Sequence, residues 1–282
     1  MYNKFEMKRN NSDTEILMDR RNVLNVDNIL RKAPSIFASN PHKDRSSQYH
    51  FIPTIEVLNI FEKQGWLPVK AMEQRVNKED KAGFQKHIIR LRNFNKNLTF
   101  NGSCVELVLV NSHDGSCAYQ LHAGVFRLVC LNGMVIGDSL FPRIRVRHQG
   151  FQDQDFIDVS YKVIQDVPKI TAEINTFNTI ELLPEEKEAY AKSALTLRYE
   201  DLNDAPIAPN QLLKTRRIAD SKNDLYTTYN IVQENIIKGG LLGRNKKGQY
   251  RRTREIKSIN EDIRLNKALW TLTEQMKQLK AA

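Results

Sequence analysis

A chain of 282 residues, 40% of them hydrophobic, is long enough for one large or two ordinary domains and apolar enough to bury a core, which excludes a disordered protein. Its 43 Lys and Arg against 33 Asp and Glu leave +10 at pH 7, a balance that favours polyanions and makes acidic or cationic small molecules less obvious partners. Three cysteines (Cys104, Cys117, Cys130) without a CxxC pair argue against a disulfide framework and a structural zinc site.

In chain order, residues 1–48 are polar and broken by Pro34 and Pro41, and read as an N-terminal arm, extended or partly helical. An α+β core is expected over 49–150. After Pro53, IEVLNIFEKQGW puts Ile55, Leu58, Ile60 and Phe61 near a helical period, with Thr54 able to cap and Gly65 able to terminate it. Four β-favouring runs follow at Leu67–Val76, Phe84–Asn93, Val105–Asn111 and Cys117–His122, separated by NKEDKAG, NKN, NGS and HDGS, and predict an antiparallel meander. GVFRLVCLNGMVIG is a strand pair around Asn132-Gly133 or a short helix, and Ile144–His148 is a further strand candidate. Residues 151–217 read as a helical acidic segment, with an acidic-start helix after Pro184, closed by the Pro-punctuated linker 201–217. Residues 218–282 supply a helix over Asn223–Ile237, a basic Gly-containing loop and a terminal helix over Ile259–Lys280. The fold class is α+β: an antiparallel meander with packed helices, then a helical C-terminal region.

The charge is unevenly placed: +8 over 1–150, −6 over 151–237 and +8 over 238–282. Two strand runs are cationic on one side. Lys86, Arg90 and Arg92 alternate with His87, Ile89 and Leu91, and Arg143, Arg145 and Arg147 alternate with Ile144, Val146 and His148. Guanidinium forks on such faces match phosphate oxygens and release counterions on contact, although a solvated outer sheet face has the same pattern. The segment GGLLGRNKKGQYRRTRE concentrates Arg244, Lys246, Lys247, Arg251, Arg252 and Arg254 around Tyr250 and is expected to be a mobile basic loop that captures phosphates and stacks a base. NSHDGS, carrying His113 and Asp114, is a hairpin turn by its Asp-Gly dipeptide and only secondarily a metal or acid–base site. No nucleophile elbow, HExxH, Walker lysine or dinucleotide fingerprint occurs, so no enzyme class and no cofactor is implied.

The blocks FIPT, GWLP, HIIRLRN, ELVLVNSHDGSCAY and GVFRLVCLNG, with the tail NDLYTTYNIVQENIIKGGLLGRNKKGQYRRTREI, resemble an uncharacterised bacterial family of phages, prophages and plasmids. That resemblance implies a mobile-element setting and assigns no catalytic residue. At fold level, a helix ending at Gly65-Trp66 and then a cationic meander and helices is similar to single-strand annealing recombinases, which hold single-stranded DNA in a basic groove of a ring or filament. The similarity implies that Arg90, Arg92, Arg143, Arg145 and Arg147 line such a groove and that 244–254 clamps it.

The expectation is therefore a cytoplasmic, homo-oligomeric, non-enzymatic protein that binds single-stranded DNA, with duplex DNA or RNA as further ligands, in recombination or annealing. No run approaches the roughly 18 apolar residues of a membrane span, and the N-terminus is polar, unlike a signal peptide. Two alternatives compete: a protein-binding inhibitor of a host defence factor working through 151–237, and a metal-dependent nuclease using His113, Asp114 and Asp153 or Asp155.

Overall fold

The β-favouring runs pair in sequence order. The computed structural model describes residues 13–46, 49, 51–128, 131–140, 144–146, 153–244 and 248–281. Strands β1 (Trp66–Glu73), β2 (His87–Asn93), β3 (Thr99–Phe100), β4 (Ser103–Asn111), β5 (Tyr119–Arg127), β6 (Asn132–Val135) and β7 (Ile144–Val146) form one antiparallel sheet in the order β1-β2-β4-β5-β6, with β3 on β4 and β7 beside β5. Short hairpin connections favour this pattern, because antiparallel neighbours need only a turn between them. The edge strand β1 tolerates Pro68, where the register slips between Pro68 and Lys70. The chain is a mixed α+β fold, and the stretch open to two readings is a strand pair: β5 runs on to Arg127, Leu131 turns the chain at φ +53°, and Gly133 lies within β6.

Residues directly opposite one another share a face of the sheet. On one face, Trp66, Ala71, Ile89, Leu91, Leu107, Leu109 and Leu121 are buried. Helix α2 (Thr54–Lys63) buries Val57, Leu58 and Phe61, and Phe156 from helix α3 (Asp153–Thr179) meets the rings of Phe61 at 5.8 Å and Tyr119 at 5.1 Å. Pro53 occupies the helix cap of α2, so Thr54 is its first helical residue and turns its hydroxyl inward. The other face carries Arg90, Arg92, Glu106 and Phe126. Residues 13–17, helix α1 (Val26–Lys32) and the turn Pro34–Phe37 are packed elements, with Leu17, Ile29 and Ile36 at most 4% exposed. An apolar residue every few positions is enough to hold this polar stretch down.

The chain divides into two compact units: residues 1–135 with 141–167, and residues 136–140 with 168–282. The reason is packing: α1 belongs with β1, the first half of α3 with the sheet, and residues 136–140 with the C-terminal helix, where Lys267 pairs with Asp138 and Ser139 donates to Glu274.

In the second unit, helix α5 (Leu225–Lys238) is enclosed by α4 (Pro184–Arg198), α6 (Ile259–Ala281) and the 3-10 turn Pro209–Leu213. Several of its polar residues are paired accordingly. Asp224 caps the helix by accepting from the Thr227 N–H at 2.7 Å, Gln233 donates to Asn266, and Asn235 donates to the carbonyls of Leu212 and Lys214. Residues 201–217 are thus part of the packing around α5, not a free connector; Arg217 adds a two-pronged bond to Glu234, at 2.7 and 2.8 Å. Trp270 packs edge-on against Phe177 and Tyr229 at the centre. No helix among the described residues is long and apolar enough to cross a membrane.

Candidate nucleic-acid interface

The basic segment after α5 is a β-hairpin where a mobile loop was expected. Strands β8 (Leu242–Arg244) and β9 (Tyr250–Arg252) pair antiparallel, with Leu242 opposite Arg252, Gly243 opposite Arg251 and Arg244 opposite Tyr250. Two contacts anchor it to the body and a third extends its ladder. The Arg244 N–H donates to the Pro206 carbonyl at 2.8 Å, the Gln211 amide donates to the Leu242 carbonyl, and the Thr253 N–H donates to the Leu241 carbonyl. Gly243 makes the approach possible, since a Cβ there would lie 2.1 Å from the Pro206 oxygen.

With Gly243 turned to the body, Leu242, Arg244, Tyr250 and Arg252 share the outward face, and all four are exposed. The Arg244 guanidinium lies 4.6 Å from the centre of the Tyr250 ring. Arg251 and Arg254 are exposed as well. Four arginines and a 63% exposed tyrosine therefore stand on about a dozen residues. Lys246 and Lys247, between the two strands, lie outside the described residues.

The sheet arginines need a correction. Lys86, Arg90 and Arg92 are 6%, 5% and 3% exposed and do not form an open cationic face. Arg90 and Arg92 point the same way, as their alternation requires, but that side is covered. Both close on Glu106 of β4, Arg90 through Nε at 2.6 Å and Arg92 through Nη2 at 2.7 Å. Arg90 also donates to the Met134 carbonyl and Arg92 to the Leu17 carbonyl. Of the second arginine run, Arg145 lies in β7 without a described side chain, and Arg143 and Arg147 lie outside the described residues.

NSHDGS is the β4–β5 turn, with Gly115 at φ +73° and the Asp114 carboxylate accepting from the Ser116 N–H at 2.9 Å. Burial pushes the Asp114 carboxyl up, but hydrogen bonds from Ser116 and Ser112 and the Lys81 ammonium 3.5 Å away more than reverse this, holding it below the usual carboxylate range. His113 is fully buried beside Thr54. Among the described residues one trio, His42, Asp44 and Asp80, brings metal-ligating atoms together, and it includes none of the residues of the nuclease alternative. The His42 nitrogens are already engaged, Nδ1 by the Asp44 N–H and Nε2 by the Asp80 carbonyl, so the trio closes a loop. Cys104 is buried in β4, and burial pushes its thiol up to about 12.

Comparison with known proteins places this arrangement. A profile of the domain of unknown function DUF932 matches residues 41–270. The chain belongs to that family. Two relatives from Escherichia coli (strain K12), UPF0380 protein YafZ and UPF0380 protein YfjQ, are each 38% identical over 261 residues, covering 92% of this chain and 94% of theirs. No solved structure matches. The DUF932 match spans both the sheet with its buried arginines and the hairpin.

Glu106 and Leu242 belong to these two sites without standing out in the sequence. Glu106 had a signal, a single acid in the apolar run SCVELVLVN opposite a strand with two arginines. Leu242 had one only in retrospect, as the first residue of an alternating LGR opposite YRR.

Proposed function

We propose that this chain is a non-enzymatic protein of a mobile genetic element, acting in the cytoplasm as a homo-oligomer that binds single-stranded DNA during recombination or annealing. The observation that supports the reading is the outward face of the β8–β9 hairpin, where Arg244, Tyr250 and Arg252 stand together in solvent beside Arg251. Guanidinium groups contact phosphates without reading sequence, and an exposed aromatic ring stacks on any unpaired base. An unpaired base is the better match for Tyr250, because in a duplex both faces of each base are already stacked. The anchored strands keep these groups in one orientation, which lowers the ordering cost of binding.

A salt titration with an oligo(dT) of about 30 nucleotides tests it. Log affinity is expected to fall linearly with log salt, and the triple variant Arg244→Ala, Arg251→Ala, Arg252→Ala to reduce that slope by about 2, at roughly 0.7 per phosphate contact on a single strand. Tyr250→Ala is expected to cost about 1–3 kcal/mol with the slope unchanged. Light scattering on the same samples is expected to show a multiple of the 32.7 kDa chain mass. Affinity that ignores both salt and the triple variant would overturn the reading.

A further inference from the structure

The sheet face opposite α2 holds a cavity of about 320 Å³ with Arg90, Arg92 and Glu106 in its wall and Val69, Phe126 and Leu131 among its apolar lining. We propose that this cavity is a binding site for a small organic anion, with a carboxylate or phosphate head on the two guanidiniums and an apolar body against Phe126, Leu131 and Val69. The assignment does not depend on the hairpin or on nucleic acid.

The first argument is charge. The side chains of Arg90, Arg92 and Glu106 are 6%, 4% and 1% exposed, and among the described residues Glu106 is the only carboxylate within ion-pair distance of either arginine. Two buried cations therefore share one anion. A buried charge is tolerated when it is paired, so one positive charge on this wall calls for a partner. The second argument is a donor. The Arg92 Nε–H is buried and has no hydrogen-bond acceptor among the described residues, although both Nη atoms of the same group are engaged, by Leu17 and by Glu106. A guanidinium presents its donors as a rigid fork, and an anion bonded to one more N–H here completes it.

The third argument is that the site is built and held. A Cβ on Gly124 would lie 2.6 Å from Arg90 Nη2, and one on Gly133 would lie 2.7 Å from Arg90 Cζ, so two glycines of adjacent strands leave the space that this guanidinium fills. Arg92 is fixed in turn over the Phe126 ring, 5.0 Å from its centre. Such fixing reduces what a ligand must order on binding. Ile16 and Leu131, also in the lining, are 50% and 64% exposed and form with the exposed Asn22 and Lys70 a mixed rim open to solvent. A volume of about 320 Å³ falls at the small end of the roughly 300–1,000 Å³ of organic-ligand sites. A cationic wall beside an apolar lining, in a volume of this size, suits a small amphipathic anion better than a polynucleotide.

Calorimetric titration of the full chain with phenyl phosphate and with 4-phenylbutyrate is expected to show one site per chain, and the neutral 4-phenylbutanol to bind at least tenfold more weakly. Leu131→Glu, at an exposed position that leaves the sheet intact, is expected to weaken both anions at least tenfold by setting a like charge at the rim. Arg92→Gln is expected to abolish anion binding; if it fails to fold, the Leu131 variant and the neutral alcohol still decide. Absence of binding by both anions, equal binding of the alcohol, or indifference to Leu131→Glu overturns the proposal. The Arg244, Arg251, Arg252 triple variant is expected to bind phenyl phosphate like the parent. Loss of binding there would place the anion on the hairpin, and competition by oligo(dT) in that variant would make the cavity part of a nucleic-acid surface; either result also overturns the proposal.

Discussion

Glu106→Gln is expected to destabilise the sheet-containing unit by about 3–5 kcal/mol, the loss typical of removing one partner from a buried ion pair. The carboxylate receives Arg90 on one oxygen and Arg92 on the other, at 2.6 and 2.7 Å, with nearly all three side chains out of solvent. Glutamine keeps the shape and one acceptor oxygen but turns an NH₂ toward a guanidinium and leaves two buried cations unneutralised. Measured by urea unfolding, the midpoint should fall steeply. The triple variant Arg90→Met, Arg92→Leu, Glu106→Leu should recover most of the loss, because replacing a whole buried ionic group by apolar side chains is often neutral. The three positions are in contact, so strong non-additivity is part of the expectation. A loss below about 1 kcal/mol for Glu106→Gln would show that solvent reaches the pair and screens it.

The second large effect is on acid stability. His87 is fully buried; its Nδ1 lies 3.0 Å from the Ser35 hydroxyl and 3.2 Å from the Gln85 carbonyl, and its Nε2 lies 2.9 Å from the Thr54 hydroxyl. The Thr54 oxygen also accepts from the Asn111 amide at 3.0 Å and lies 3.2 Å from His113 Nε2. The Thr54 hydroxyl thus joins both imidazoles: it accepts from Asn111, and in the tautomer where His87 Nδ1–H donates to Gln85 it donates to His87 Nε2. A second proton on His87 would put a charge into this fully buried network, whose partners Ser35, Gln85 and Thr54 include no carboxylate to neutralise it.

Burial first, and the neighbouring His113 second, lower the His87 pKa from 6.5 to about 3. A base whose folded-state pKa is depressed contributes stability above its unfolded pKa and loses it as pH falls toward the folded one. Unfolding free energy should therefore decline from about pH 6.5 toward pH 3, approaching roughly 1.4 kcal/mol per pH unit within that window. The interval from pH 6 to 5 is diagnostic, since ordinary carboxylates are still ionised there. Chemical denaturation at half-unit steps should show that slope in the parent and a clearly flatter one in His87→Gln. An equal slope in both would assign the acid sensitivity to other groups.

Much of the architecture was legible from the chain. Short β-favouring runs with Asp-Gly and Asn-Gly chemistry between them have one economical arrangement, the antiparallel meander, and the helices at 54, 184, 225 and 259 follow the apolar period. What period and composition do not encode is which side of a two-sided pattern meets solvent. Arg90 and Arg92 alternate as an outer face would, and their burial depends on Glu106 and Gly124, 14 to 34 positions later in the chain. The hairpin was hidden for the opposite reason. Glycines and like charges suggest an unstructured loop, and the partner of the outer edge of β8 is the carbonyl of Pro206, nearly 40 residues upstream. Tyr250 with its arginines was visible because exposed groups need no partner in the fold to declare themselves.

The glycines beside Arg90 give the sheet an inherited grammar. Arginine at 90, glutamate at 106 and glycine at 124 and 133 come from four different strands, yet they occupy one volume, so none can drift alone. A relative that carries any side chain at 124 or 133 has no room for arginine at 90, and one that loses arginine there leaves a hole bounded by two glycines. Across the family these positions should be exchanged together or kept together, which makes their joint history a record of whether the cavity was worth keeping.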